Sequence, residues 1–159
     1  METRGMHEDE IEEMIELLCL INRPDGQDRY RRYIQGDSSY TWEQTRVVVA
    51  EGRIRSTLRI WDRLMRIGPS VVRMGGIGGV STHPEARRKG YASAMMRDAV
   101  GYMAASGYDL GVLFSEIPFA FYRRLGWECV PQAGFRIRRR QDGPVRQSTW
   151  QVDSFREDR

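Results

Sequence analysis

The chain has 159 residues, a length that suits one domain with a single hydrophobic core. Hydrophobic residues make up 40% of it, which is ordinary for a soluble globular protein. Its apolar runs fall well short of the ~20 residues that span a bilayer, and residues 1–6 lack the apolar stretch of a signal peptide. We therefore expect no membrane association and a cytoplasmic location.

The formal net charge is +3, and Lys89 is the only lysine among 25 basic side chains. Nucleic-acid binders cluster basic residues with stacking aromatics. Here the densest basic groups are 87–89, which have a phosphate-binding explanation, and 136–140, which alternate like a solvated strand face. No nucleic-acid partner is expected. Cys19 and Cys129 lack neighbours at metal-ligand spacing, so two buried free thiols and no metal site are predicted.

The first half of the chain predicts helices followed by strands. Apolar residues recur at helical spacing over 8–21, and the acidic residues at its start suit the positive end of a helix dipole. A further helix is predicted over 29–35, with strands over 45–51, 54–67 and 71–82. A strand before the first helix is nearly absent from the pattern.

The second half predicts alternating helices and strands. The predicted elements are a helix over 90–106, a strand over 109–115, a helix over 118–125 and strands over 127–130 and 135–140. The strand over 109–115 is almost continuously apolar, as in a parallel strand covered on both faces. The order indicates a layered α/β (α+β) domain over 1–141, with a mixed, mostly antiparallel central sheet, and a tail over 142–159.

A basic loop, Arg87–Ala92, follows the glycine-studded strand and opens a helix. Such a loop turns backbone N–H groups toward one point, where the helix dipole adds partial positive charge, so a pyrophosphate fits there. The glycines at 75–79 lie inside the strand, which excludes a Rossmann loop, and the order Lys89-Gly90 is the reverse of a P-loop. Glycine within a strand usually marks a bulge.

Two motifs together resemble the GNAT superfamily of N-acetyltransferases. They are Arg-x-x-Gly-x-Ala over 87–92 and aromatic-Tyr-x-x-x-Gly-aromatic over 121–127, each on the expected element. The resemblance implies the GNAT fold, in which a bulged strand splays from its parallel neighbour and admits the pantetheine arm of the co-substrate acetyl-CoA. The acetyl-CoA contacts that it implies are Val80, Ser81, Thr82, Arg87, Arg88, Lys89, Gly90, Tyr91, Ala92, Ser93, Ser115 and Phe121.

Acetyl transfer to an amine requires a base for the amine, a donor for the oxyanion and a proton for the leaving thiolate. The resemblance implies Tyr122 as the source of that proton. Glu116, which follows the cofactor-facing strand, is the candidate base. His83 is an alternative that would act through water, although a structural role in its turn is favoured. Glu51 and Asp62 are further candidates for the substrate cleft.

The segment over 77–85, with the long strand before it, is similar to the first GNAT domain of enhanced-intracellular-survival-type acetyltransferases. The expected function is transfer of an acetyl group from acetyl-CoA to a primary amine of a small molecule or peptide by direct attack. The alternative is a non-catalytic GNAT-fold module that binds CoA or a partner. A homodimer, or a further domain of a longer chain, is expected to complete the assembly.

Overall fold

The computed structural model describes residues 1–115 and 117–130. In this part of the chain, five strands form one mixed sheet in the order β1-β2-β3-β4-β5. The strands are β1 (Glu2–Gly5), β2 (Thr45–Ala50), β3 (Arg53–Ile67), β4 (Ser70–Thr82) and β5 (Leu110–Leu113). Neighbours from β1 to β4 pair antiparallel, whereas β4 and β5 pair parallel. The predicted mixed α/β class is confirmed.

Helices flank this sheet. They are α1 (Ile11–Ile21), α2 (Gln27–Gln35), α3 (Tyr91–Ala105) and the short α4 (Phe119–Arg123), with 3-10 turns at Glu8–Glu10, Trp42–Gln44 and Pro84–Ala86. The predicted helix over 8–21 therefore begins with a 3-10 turn. None of the helices described is both long and apolar enough to cross a membrane.

The sheet separates two hydrophobic clusters. The cluster on the α3 side contains Val48, Leu58, Ile60, Ile77, Met95, Met96, Ala99, Met103, Tyr108 and Tyr122. The cluster on the α1 side contains Met6, Met14, Ile15, Leu17, Leu18, Cys19, Val47 and Ile54. Alternate residues of β2 thus enter opposite clusters, as the two-residue period of a strand requires. An ion pair between the buried Arg46 and the half-buried Asp98 (2.5 Å) also joins β2 to α3.

Three predictions about the strands and thiols are wrong. A strand does precede the first helix, because β1 pairs with Val47–Val49 of β2 even though its own side chains are mostly polar. Residues 127–130, predicted as a strand, are not one. Cys19 is buried as predicted, but Cys129 is exposed.

The strand β5 is shorter and less buried than its sequence predicts. Its four residues are only half-buried, and Phe114, which follows it, is 78% exposed. It is the last strand of the described sheet, so one of its edges has no described neighbour. The predicted strand over 135–140, the basic group over 136–140 and the tail over 142–159 lie outside the described residues.

Two leucines of β3 offer a matched test of this core. Leu58 is 1% exposed, whereas Leu64 is 75% exposed. We expect Leu58→Ala to lower the free energy of unfolding by about 2–5 kcal/mol, through lost burial and a cavity. Leu64→Ala should stay within about 0.5 kcal/mol of the parent. Urea unfolding measures both, and equal losses would contradict the burial assigned to Leu58.

Candidate functional site

The parallel pair β4–β5 separates where the site begins. Its pairing ends at Ile77 and Leu113, while β4 runs on to Thr82. On its other edge β4 stays paired with β3, but the register shifts: Thr57 faces Ser81 and Arg59 faces Gly78. One extra residue on β4 is therefore accommodated opposite Leu58, with Gly79 at φ +65°. This is a bulge, and it bends β4 where the wedge between the two strands opens.

The basic loop lies between the end of β4 and the start of α3. Arg88 (φ +61°) and Gly90 (φ +83°) both adopt the left-handed region, with one residue between them. Alternating conformations of this kind turn successive N–H groups into a concave anion site. No described side chain caps the N-terminus of α3, and a Cβ at Gly90 would meet nothing within 4 Å. The loop thus offers main-chain donors in open space, ringed by the exposed Arg87, Arg88 and Lys89.

The side chains at the end of β4 are already engaged inside the protein. Val80 packs against the cluster on the α3 side. Ser81 is buried, and its Oγ accepts a hydrogen bond from Asn22 Nδ2 (2.9 Å). Thr82 Oγ1 bonds with Ser56 Oγ (2.7 Å). A ligand in the wedge would therefore meet the main chain of this segment.

On the α3 side of the loop, Tyr91 packs against the core cluster, while Ala92 and Ser93 are half-buried in the first turn of the helix. Phe121 on α4 also packs against this cluster and meets the Tyr122 ring edge-on, with 5.0 Å between the ring centroids. The loop and α4 are thus both anchored to this cluster by an aromatic residue.

Tyr122 and Ser115 form a hydrogen-bonded pair after β5. Tyr122 is 3% exposed, and its hydroxyl donates to Ser115 Oγ (3.0 Å). The same Oγ accepts the main-chain N–H of Ile117 (3.0 Å). With both lone pairs occupied, the hydroxyl hydrogen of the exposed Ser115 remains available to a ligand. Glu116, the predicted base, lies outside the described residues.

A cavity of about 310 Å³ lies between α1, α2 and the sheet. Its lining is mostly aromatic and aliphatic: Met14, Leu18, Asn22, Tyr30, Tyr33, Ile34, Thr45, Thr57, Leu58, Arg59, Trp61, Gly78 and Gly79. The last two place one wall of the cavity at the bulge of β4. Gly78 permits this because a Cβ there would come within 3.2 Å of Trp61 Nε1.

A charged cluster supports this cavity. Arg59 is 9% exposed and donates to the carbonyl of Tyr33 (2.6 Å) and to Asp37 (2.7 Å). Its guanidinium carbon lies 3.7 Å from the centroid of the Trp61 ring. Burial lowers the pKa of Arg59, and Asp37 opposes that shift. Burial alone would raise the pKa of Asp37, but hydrogen bonds from Arg63 and Ser39 lower it to about 2.

The remaining candidates from the sequence serve the fold. The Nδ1 of His83 accepts the N–H of Glu85 (3.3 Å) and so caps the 3-10 turn before the basic loop. Glu51 is in the turn between β2 and β3 and pairs with Arg55. Asp62 pairs with Arg73 (2.6 Å), whose hydrogen bond lowers its pKa. Neither Glu51 nor Asp62 is among the residues that line the described cavity.

Sequence reasoning missed the residues that line the cavity. Thr57, Arg59 and Trp61 alternate with apolar residues of β3, a pattern that resembles a solvated strand face. The signal that could have found them is the apolar stripe of α1, which must cover some face of the sheet.

A model of the acetyltransferase (GNAT) domain family matches residues 2–130. The chain belongs to the GNAT family. Among curated proteins no match was found.

Solved structures share the GNAT fold. A conserved Enterococcus faecalis protein, described as a probable N-acyltransferase, is 23% identical with a TM-score of 0.68; the match covers 80% of this chain and 32% of that one. A GCN5-related N-acetyltransferase from Kribbella flavida is 23% identical with a TM-score of 0.67, covering 79% of this chain and 33% of that one. This GNAT chain therefore spans about a third of the length of both.

A shorter neighbour matches over nearly its whole length. The aminoglycoside antibiotic 6'-N-acetyltransferase of Acinetobacter haemolyticus is 14% identical with a TM-score of 0.67, and the match covers 87% of this chain and 99% of that one. At such identities these likenesses show the GNAT fold and nothing finer.

The Asp37 cluster predicts a specific acid sensitivity. The pKa of Asp37 falls from 3.8 to about 2 on folding. Its carboxylate therefore stabilises the folded state above pH 3.8 by about 2 kcal/mol, and this is lost as the pH falls toward 2. Asp37→Asn should destabilise the protein at pH 7 and flatten the slope of stability against pH in that window.

Urea unfolding between pH 2 and pH 7 measures this. Asp28→Asn is the control, because the side chain of Asp28 is 91% exposed and it should change neither stability nor slope. A slope for Asp37→Asn equal to that of the parent would contradict the role given to this carboxylate.

Proposed function

We propose that this GNAT domain is an N-acetyltransferase that transfers an acetyl group from acetyl-CoA to a primary amine. The observation that carries the proposal is the wedge between β4 and β5, which opens beside an uncapped helix N-terminus and a basic loop. The loop fits a pyrophosphate, since its N–H groups converge where the helix dipole is positive. The wedge fits a pantetheine arm, which can pair with the free edge of β4 as an added strand.

The amine is proposed to bind in the cavity of about 310 Å³. Gly78 and Gly79 belong both to the wall of this cavity and to the bulge, so a thioester held along β4 would lie next to the amine. A main-chain N–H near Val80 or Ser81 is the candidate donor to the oxyanion. Contact would be through the main chain, because both side chains are engaged elsewhere.

The reaction forms one bond and breaks another. The amine nitrogen attacks the thioester carbonyl carbon, the new C–N bond forms and the C–S bond breaks. The amine proton leaves to a base, for which Glu116 remains the proposal. The departing thiolate takes the hydroxyl proton of Ser115, and Tyr122 replaces that proton through the hydrogen bond it already donates to Ser115 Oγ.

We also propose that the chain is related to the first domain of enhanced-intracellular-survival-type acetyltransferases. The long paired strands β3 and β4 and the motif over 77–85 support this relation. A cytoplasmic location stays a prediction.

Tyr122→Phe tests the proton supply. It removes one hydroxyl and leaves the packing of the ring, so we expect turnover to fall by about 10²-fold or more with the KM for acetyl-CoA within about twofold. Tyr102→Phe is the control, because Tyr102 lies on α3 outside the proposed machinery. Steady-state kinetics with acetyl-CoA and a panel of amines measures both. Unchanged turnover in Tyr122→Phe would remove this tyrosine from the mechanism. CoA binding by the parent without turnover of any amine would instead favour a non-catalytic, CoA-binding module.

Gly90→Ala tests the phosphate site. The methyl group would occupy the open space in front of the loop, and we expect the Kd for CoA to rise about tenfold. Gly52→Ala is a matched control, since Gly52 also has positive φ (+69°) with nothing within 4 Å of an added Cβ. Both changes cost similar backbone strain, about 1–2 kcal/mol, so their stabilities should fall together. Calorimetric titration with equal CoA affinities in the two variants would contradict the phosphate site.

A further inference from the structure

The cavity next to the bulge is bordered by polar atoms that indicate which chemical groups it binds. Two of them, Thr57 Oγ1 and Arg59 Nε, are buried and have no hydrogen-bond partner in the part of the chain described. Thr57 is 1% exposed and Arg59 is 9% exposed, and both residues line the cavity. They stand two positions apart on β3, so they share one face of the sheet. Buried polar groups nearly always have a hydrogen-bond partner. Two buried polar atoms that lack one and lie beside a cavity therefore point to a ligand.

The sign of the charge beside the cavity follows from its neighbours. The carboxylate of Asp37 accepts hydrogen bonds from Arg59 (2.7 Å) and from Arg63 (3.0 Å), so two guanidinium groups share one anion. No Asp or Glu is among the described residues that line the cavity. The cluster is thus one positive charge in excess, and it favours an anionic group on the ligand.

The other residues that line the cavity favour a ligand with a flat, apolar aromatic group. The Tyr33 ring meets Trp61 edge-on, with 5.8 Å between centroids, and meets Tyr30 with 6.5 Å between centroids. Met14, Leu18 and Ile34 supply aliphatic surface opposite the strand. Flat apolar groups pack well against such rings, whereas a polycation would lose its hydration with no carboxylate to replace it.

We propose that the acceptor cavity binds an amine with an aromatic body and a carboxylate group, held by Arg59 and Thr57. The amine would then point toward Gly78 and Gly79, where the acetyl group is expected. This inference rests on the proposed function for the identity of the amine as acceptor. The recognition of the aromatic body and the carboxylate is independent of any acetyl transfer.

Binding without turnover tests the recognition directly. The probes are 3-phenylpropionate, which has the body and the carboxylate but no amine, the neutral isostere 3-phenyl-1-propanol, and spermine as a polycation. Calorimetric titration of the full chain in the absence of CoA gives the three affinities. We expect the carboxylate to bind at least tenfold more tightly than the alcohol, and spermine to bind most weakly.

Two variants assign the contacts. Thr57→Val removes a hydroxyl that has no described partner, so we expect an equal or higher melting temperature together with about fivefold weaker binding of 3-phenylpropionate. Thr3→Val, on β1 away from the cavity, is the matched control and should leave the affinity unchanged. Arg59→Met should bind the carboxylate and the alcohol equally. If Arg59→Met does not fold, Thr57→Val alone decides.

The outcomes separate this inference from the proposed function. Equal binding of the carboxylate and the alcohol by the parent, tighter binding of spermine, or an unchanged affinity in Thr57→Val would each overturn the ligand class. Acetyl transfer to polyamines would leave the proposed function standing while this inference fails. Tight binding of 3-phenylpropionate without acetyl transfer to any amine would support the ligand class proposed for the cavity, whereas the proposed function would fail.

Discussion

The site depends on one constraint on β4, which must stay paired with β3 while it leaves β5. One extra residue opposite Leu58 meets this constraint, because it bends β4 without ending its ladder with β3. The positive φ of Gly79 makes the bend accessible at little cost. Pairing with β5 stops at Ile77, so the last part of β4 keeps an edge that no described strand covers. The wedge, the cavity wall and the approach to the basic loop all follow from this bend.

Arginine-carboxylate pairs hold the elements around the bend. Arg46 joins β2 to α3 through Asp98, and Arg59 joins β3 to the segment after α2 through Asp37. Taking such charges out of water is costly, so removal of one partner leaves the other charge without compensation and destabilises the fold. The chain's preference for arginine over lysine suits this use, because a guanidinium can bind a carboxylate with two N–H groups and stack on an aromatic ring.

The sequence predicts the local motifs well, since their chemistry is short-range. The basic loop at 87–92 and the periodicity of α1 predict their structures because turn and helix preferences depend on neighbouring residues. The family resemblance implied the parallel pair of strands that splays at a bulge. The existence of β1 was missed because its few polar residues are held by pairing with β2, which no local pattern reveals.

The cavity at the bulge of β4 was missed for a similar reason. An arginine that alternates with apolar residues on a strand is typical of a solvent-exposed face. Only the packing of α1 and α2 over that face buries Arg59 and Thr57. The exposure of Cys129 was also unpredictable, because burial of a lone thiol depends on which elements cover it. Long-range packing thus forms the cavity, whereas local motifs form the basic loop.

Hydrogen exchange of the main-chain amides, with and without saturating CoA, tests the central claim most directly. If the ligand fills the wedge and the loop, amide protection should rise at residues 78–82 and 88–93. Residues 2–5 of β1, on the far edge of the sheet, should not change. Protection that is absent from both segments, or confined to one remote from the bend in β4, would contradict the account.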